Sequence, residues 1–178
     1  MNELPDEELV KRAQGGDRAA FSVLTQRYYA KIFGYAYRSC GQRQDAEDVA
    51  QEVCIKLAQQ LKGFRFESKF STWLYRLAIN CLNDFYRKQK SSRGKEVIFG
   101  DDFEVESGEP SAEERVQVKE VYCAVSRLSA TLRDTVLLVC GEGMEYAEAG
   151  KILGCTENTV AWRMNEAKKQ LSARLGGQ

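Results

Sequence analysis

Between residues 64 and 90 the sequence gathers aromatic, cationic and amide side chains in a pattern that suits unpaired nucleic-acid bases. Phe64, Arg65, Phe66, Lys69, Phe70, Trp73, Arg76, Asn80, Asn83, Tyr86, Arg87, Lys88 and Lys90 all fall there. Rings can stack on unstacked bases, cations can hold phosphates and amides can read base edges, which together meet the needs of a single-strand site. A second set lies near the C-terminus, where Thr156, Asn158, Thr159, Trp162, Arg163 and Lys169 are spaced to share the outer side of one helix. That mixture can reach base edges and phosphates of a duplex. A third set, Asp45, Asp48, Gln51 and Glu52 with the aliphatic Ile55, is acidic. Such a face fits a basic protein partner or is an ordinary solvated helix surface, and this segment alone leaves both readings open.

Other chemistries lack their parts. The chain has no histidine, and its six cysteines (Cys40, Cys54, Cys81, Cys123, Cys140 and Cys155) include no CxxC pair. A zinc site and histidine-based catalysis are therefore not expected. Asp45, Asp48 and Glu52 stand at i, i+3 and i+7, but no second ligand cluster completes a metal-carboxylate centre. No cofactor, no metal and no enzymatic activity are expected. The cysteines read as small, reduced, mostly buried hydrophobes, with Cys155 the one placed in a turn and open to solvent.

The elements that must carry these sets are helices. With 43% hydrophobic residues, only two prolines and many Ala, Leu, Glu, Lys, Arg and Gln, the 178-residue chain reads as all-α. Residues 1–90 hold 15 basic and 11 acidic side chains, residues 91–120 hold 4 and 9, and residues 121–178 hold 7 and 6. Two neutral-to-basic regions thus flank an acidic connector. Periodicity predicts helices from Pro5 to the Gly15–Gly16 stop, from Asp17 through Tyr35, from Gln44 to Lys62 and from Ser71 to Lys90. In the last of these Leu74, Leu77, Ala78, Cys81, Leu82 and Phe85 form the inward stripe, opposite Trp73, Arg76, Asn80, Asn83 and Arg87. A flexible acidic linker is expected over 91–112, and a second domain over 113–178.

That second domain ends in a short helix from Tyr146 to Leu153, a turn at Gly154–Cys155 and a helix from Thr156 to Leu175. A helix pair joined by a glycine turn, with an N-cap threonine, is the arrangement of a helix-turn-helix. A plain helical hairpin with a solvated polar face is the alternative, and the outward Trp162 weighs against it. No run of about 18 apolar residues is present, and Glu3, Asp6, Glu7 and Glu8 stand where a signal peptide would carry bases. A cytoplasmic protein without membrane insertion is expected.

Three segments carry a resemblance to a known family: DAEDVAQEVCIKL (Asp45 to Leu57), FSTWLYRLAIN (Phe70 to Asn80) and YAEAGKILGCTENTVAWRMNEAKKQL (Tyr146 to Leu171). In this order and separation the chain resembles the extracytoplasmic-function (ECF) sigma factors of bacterial RNA polymerase. The resemblance implies that the first segment grips core polymerase through Asp45, Asp48, Gln51, Glu52 and Ile55. It implies that the second, with the preceding loop, melts and reads the minus 10 element through Phe64, Arg65, Phe66, Lys69, Trp73, Arg76, Asn80, Asn83 and Arg87, with the loop holding a flipped base and Asn80 close to that pocket. The third would read the minus 35 element through Thr156, Asn158, Thr159, Trp162, Arg163 and Lys169. It also implies a linker lying in the path of nascent RNA and a cognate anti-sigma factor as partner. Two departures stand out: Gly150 replaces the usual alanine of the helix pair, and Ala161 and Trp162 replace a common Lys and Ser. A stand-alone DNA-binding regulator would explain residues 115–175 but not the aromatic and basic stripe before the linker.

Overall fold

The computed structural model describes residues 1–93, 96–104 and 108–176; residues 94, 95 and 105–107 of the expected linker lie outside the described residues. Helices α1 (Asp6–Gln14), α2 (Arg18–Cys40), α3 (Arg43–Gln60) and α4 (Phe70–Arg93) build the first domain, with a single tight turn, Leu61–Gly63, after α3. Helices α5 (Ala112–Ser126), α6 (Ala130–Val136), α7 (Tyr146–Leu153) and α8 (Glu157–Leu175) build the second, and α6 runs on into a wider turn, Leu137–Gly141. Among the described residues there is no strand, and no helix is long and apolar enough to cross a membrane.

Local chemistry accounts for the boundaries. Asp17 caps α2 by accepting from the amides of Ala19 and Ala20 at 2.9 and 3.1 Å. Ser111 and Glu114 form a reciprocal capping box at the start of α5. Each cap contributes about 1 kcal/mol. Gly41, at φ +73°, ends α2 in a left-handed conformation that a side chain resists.

The first domain packs α2 and α4 through Leu24, Tyr28, Ile32, Tyr35, Leu74, Ala78 and Leu82, with Ala46, Val49, Ala50, Val53 and Leu57 of α3 against them. The second encloses Val125, Leu128, Leu132, Val136, Leu138, Ile152, Val160, Met164 and Ala167. These are not two separate cores: the buried residues form one continuous cluster across both domains. The reason is α4, which buries Thr72, Tyr75 and Ile79 besides the expected stripe.

The expected boundary at residue 90 falls inside α4. The described part of the linker is also not a free spacer. Phe99 and Phe103 are 4% and 3% exposed. The Phe99 ring lies over Gly41, so close that a Cβ there would come within 2.4 Å of it. Gly100 donates to the Gly41 carbonyl at 2.9 Å, and Phe103 lies between Tyr37 of α2 and Tyr122 of α5, with ring centroids at 4.9 and 5.7 Å. Linker acids pair with cations of the second domain, Glu96 with Arg127, Asp101 with Lys119 and Glu104 with Arg115. Exposed pairs of this kind add little, so the two aromatic rings hold the segment down.

Candidate nucleic-acid and polymerase interfaces

The acidic face of α3 is open. Asp48, Gln51, Glu52 and Ile55 are exposed, the last at 51%, whereas Asp45 is half-buried. Arg43 and Glu47 pair on the flank at 3.1 Å. An aliphatic side chain left half in water amid carboxylates and amides is a surface feature that a partner can cover.

The loop before α4 is built on a cluster of tilted and edge-on rings. Phe64 packs against Phe66, Phe70 and Trp73 at centroid separations of 4.9, 5.9 and 5.3 Å. Phe64 is only 6% exposed. The expectation that Phe64 itself presents a ring to a base is therefore corrected: its apolar surface is taken up by its neighbours, and it positions Phe66 and Trp73. Phe66 is 36% exposed and has φ +60°, a left-handed conformation that costs a non-glycine residue about 1–2 kcal/mol. Arg65, Glu67 and Lys69 are exposed around it, and Trp73 is half-buried. Together with Asp6, Glu7, Ser68, Phe70 and Ser71, Phe64, Phe66 and Lys69 line a cavity of about 350 Å³.

Asn80 does not line that cavity. It lies about 15 Å further along α4 from Phe70 and lines a groove with Asn83, Asp84, Tyr86, Arg87, Ala130 and Arg133. Residues absent from the sequence reading complete this region. Gln14 at the end of α1 donates to the carbonyls of Leu61 and Phe64, at 3.0 and 2.9 Å, and Lys11 lies 5.5 Å from the centre of the Phe66 ring. Nothing in the spacing of α1 signals this, because the partners lie some fifty positions away.

The outer stripe of α4 faces two ways. Arg76, Asn80 and Arg87 are exposed, and Arg87 is ion-paired with Asp84. Asn83 is half-buried and bonds to Arg133 and Asp134 of α6. Arg133 and Asp134 are buried polar residues that the sequence reading did not single out; the Arg133 guanidinium lies 3.7 Å from the centre of the Tyr86 ring. Burial pushes the Asp134 carboxyl above the ordinary carboxylate range, although Arg133 and Asn83 pull it down.

In the second domain α7 ends at Gly154, φ +70°, with the Cys155 amide donating to the Gly150 carbonyl at 3.0 Å. A Cβ at Gly150 would lie 2.7 Å from the Cys155 carbonyl, which gives the departure at this position a physical reason: the turn closes directly over the helix. Thr156 caps α8 by accepting from the Thr159 amide at 3.2 Å. Val160, Met164 and Ala167 are buried, as expected, while Asn158, Trp162, Asn165 and Lys169 are exposed, Trp162 at 63%. Thr159 and Arg163 are half-buried, and Arg163 donates to the Cys155 sulfur at 3.5 Å. Cys155 is thus half-covered, and Cys140, in the wider turn after α6, is the exposed cysteine instead. Burial raises the thiols of Cys40, Cys54, Cys81 and Cys123, which favours their protonated form.

The sequence matches Sigma-70 region 2 over residues 24–92 and Sigma-70 region 4 over residues 119–171. The RNA polymerase sigma-H factor of Pseudomonas aeruginosa is 31% identical over 96% of this chain and 93% of its own length. The ECF RNA polymerase sigma-E factor of Haemophilus influenzae is 31% identical over 97% of this chain and 96% of its own. Among solved structures, CnrH in complex with the cytosolic domain of CnrY superposes with a TM-score of 0.70 at 26% identity, covering 97% of this chain and 98% of that one. The sigma factor RpoE of Bartonella quintana shares the fold, with a TM-score of 0.63 at 22% identity over 88% of this chain and 96% of its own. The chain belongs to the ECF sigma factors, the subunits that direct RNA polymerase to promoters.

Proposed function

We propose that α3 binds core polymerase through Asp45, Asp48, Gln51, Glu52 and Ile55, that α4 and the Phe64–Lys69 loop open and read the minus 10 element, and that α8 reads the minus 35 element. The observation that carries the reading is the coincidence of chemistry with family match. The aromatic, cationic and amide set of α4 lies inside the region 2 match, and exposed Trp162, with all of α7 and most of α8, lies inside the region 4 match. The protein would supply binding and strand separation and leave covalent chemistry to the polymerase, working in the cytoplasm where polymerase and DNA meet. CnrH was solved with the cytosolic domain of CnrY, and by analogy a cognate anti-sigma factor would hold this chain until it is needed.

Reconstitution with purified core polymerase tests the reading. The chain should co-purify with core and start transcription from a subset of a promoter library. Asp48→Arg and Glu52→Arg should weaken assembly, because each sets a cation against a basic partner. Normal assembly of both variants would remove α3 from the interface, and failure of the wild type to bind core would favour a stand-alone regulator.

A further inference from the structure

The half of α8 that would enter a major groove is poor in cations. A helix-turn-helix meets base edges with the N-terminal residues of its second helix, and over residues 157–167 the only cation is Arg163. Its guanidinium is half-buried and donates to the Cys155 sulfur at 3.5 Å, back toward the turn. The commonest specific contact in a major groove is an arginine or lysine on guanine, and this half of the helix has no exposed cation to make it. Its outer face exposes Asn158, Trp162 and Asn165 instead, Trp162 at 63%. At 3.6 residues per turn the three fall within an arc of about 60° and span about 10 Å of helix, the length of roughly three base-pair steps. Asparagine pairs with the N6 and N7 groups of adenine, and an apolar side chain meets the C5-methyl of thymine. The stripe therefore fits A·T pairs.

We propose that Trp162 is a specificity-determining residue that reads thymine: its ring lies against the C5-methyl of one or two thymines in the minus 35 box, within a run of A·T pairs that Asn158 and Asn165 read on either side. This rests on the reading of α8 as the minus 35 helix. Thymine carries the one methyl group that a base pair presents in the major groove, so it gives the exposed indole an apolar surface to bury. Phosphate contact falls to the cations on the flanks, Arg163 beside the turn and the exposed Lys168 and Lys169 further along α8. Such contacts fix the position of the helix and carry no sequence information.

Holoenzyme reconstituted from core polymerase and the full chain is used to select promoters from a library randomised across the minus 35 box. Enriched boxes should contain thymine, and boxes without it overturn the proposal. On an enriched promoter each thymine of the box is then replaced in turn by uracil, which removes the C5-methyl and keeps every hydrogen-bonding group, and holoenzyme affinity is read by competition. At one or two positions uracil should weaken binding about fourfold, the effect of losing one buried methyl. Trp162→Ala, a change at an exposed position that leaves the core of the domain in place, should not distinguish the two templates. Equal affinity of the wild type for thymine and uracil, or a methyl effect that survives in Trp162→Ala, overturns the thymine reading. A scrambled box judges the reading of α8 separately: weaker binding to it leaves α8 as the minus 35 helix even where no methyl is read, and unchanged binding removes both.

Discussion

The side-chain amide of Gln14 donates to the backbone carbonyl of Phe64 at 2.9 Å, and the same nitrogen donates to Leu61 at 3.0 Å. Helix α1, which precedes the region 2 match, thereby braces the loop that carries strained Phe66. Gln14→Leu would leave both carbonyls without this donor at a cost of about 1–3 kcal/mol. The expected outcome is a lower urea midpoint together with faster amide hydrogen exchange across residues 64–69. Equal exchange in variant and wild type would show that the loop holds its shape without α1.

Gly150 trades helix propensity for a close turn. Gly150→Ala would add about 1 kcal/mol of helix propensity, yet its Cβ would meet the Cys155 carbonyl at 2.7 Å. Backbone cannot yield as a side-chain tip does, so a net loss of about 1–2 kcal/mol is expected. Thermal unfolding decides it, since a net gain in stability would mean that the turn relaxes freely.

Gly41 and Phe99 should be coupled. Gly41→Ala meets the Phe99 ring at 2.4 Å and also carries the cost of φ +73°. Phe99→Ala alone loses buried aromatic surface, about 3–5 kcal/mol. In the double variant the ring is gone, so only the backbone cost of about 1–2 kcal/mol should be added to that of Phe99→Ala. Simple additivity in a double-mutant cycle would mean that the linker does not dock at Gly41.

Asp134 should make stability depend on pH. Its carboxyl, raised by burial and faced by Arg133, Asn83, Tyr35 and Tyr86, holds its proton more tightly in the fold than in the unfolded chain. That contribution is complete below the unfolded value of about 3.9 and is lost as the pH rises through the raised value. Asp134→Asn has no such proton to lose, so its stability relative to wild type should rise between about pH 4 and pH 7. Denaturant midpoints at the two pH values measure this, and a relative stability that falls instead would contradict the direction of the shift.

What the sequence revealed follows from the range of the interactions. The helices, the Gly154 turn, the Thr156 cap and the outward positions of Trp162 and Ile55 depend on neighbours within a few residues, and periodicity and capping chemistry expose them. The contacts that escaped it join distant segments. Tyr75 and Ile79 are buried because a second domain packs on α4, and Arg133 and Asp134 read as ordinary surface charges until Asn83 and Tyr86 are placed beside them. Phe99 and Phe103 sit in an acidic stretch whose composition suggests a spacer, and only their burial against Gly41, Tyr37 and Tyr122 shows otherwise. Phe64 looked like a reader of bases because its neighbours have that chemistry, whereas the ring cluster needs one member at its centre.

At the minus 35 element, Arg163→Ala should weaken binding by about 1–3 kcal/mol while leaving affinity for core polymerase unchanged. Its guanidinium lies half-buried beside the Cys155 sulfur at the start of α8. Transcription from a promoter that depends on the minus 35 box is the readout, and undiminished output from Arg163→Ala and Trp162→Ala alike would mean that α8 presents another face.

Opening of the minus 10 element by α4 is tested most directly with Asn80→Ala, which removes an exposed amide and leaves the core intact. Each base held outside the stack contributes about 1–3 kcal/mol, close to the few kcal/mol needed to extrude it, so losing one contact should shift the balance toward closed DNA. Open-complex formation is compared on duplex promoters and on templates already melted across the minus 10 region, with helicity and core binding unchanged. The expected result is a marked loss on duplex DNA and a smaller loss on the pre-melted template; an equal loss on both, or none on either, would contradict a role for this face of α4 in melting.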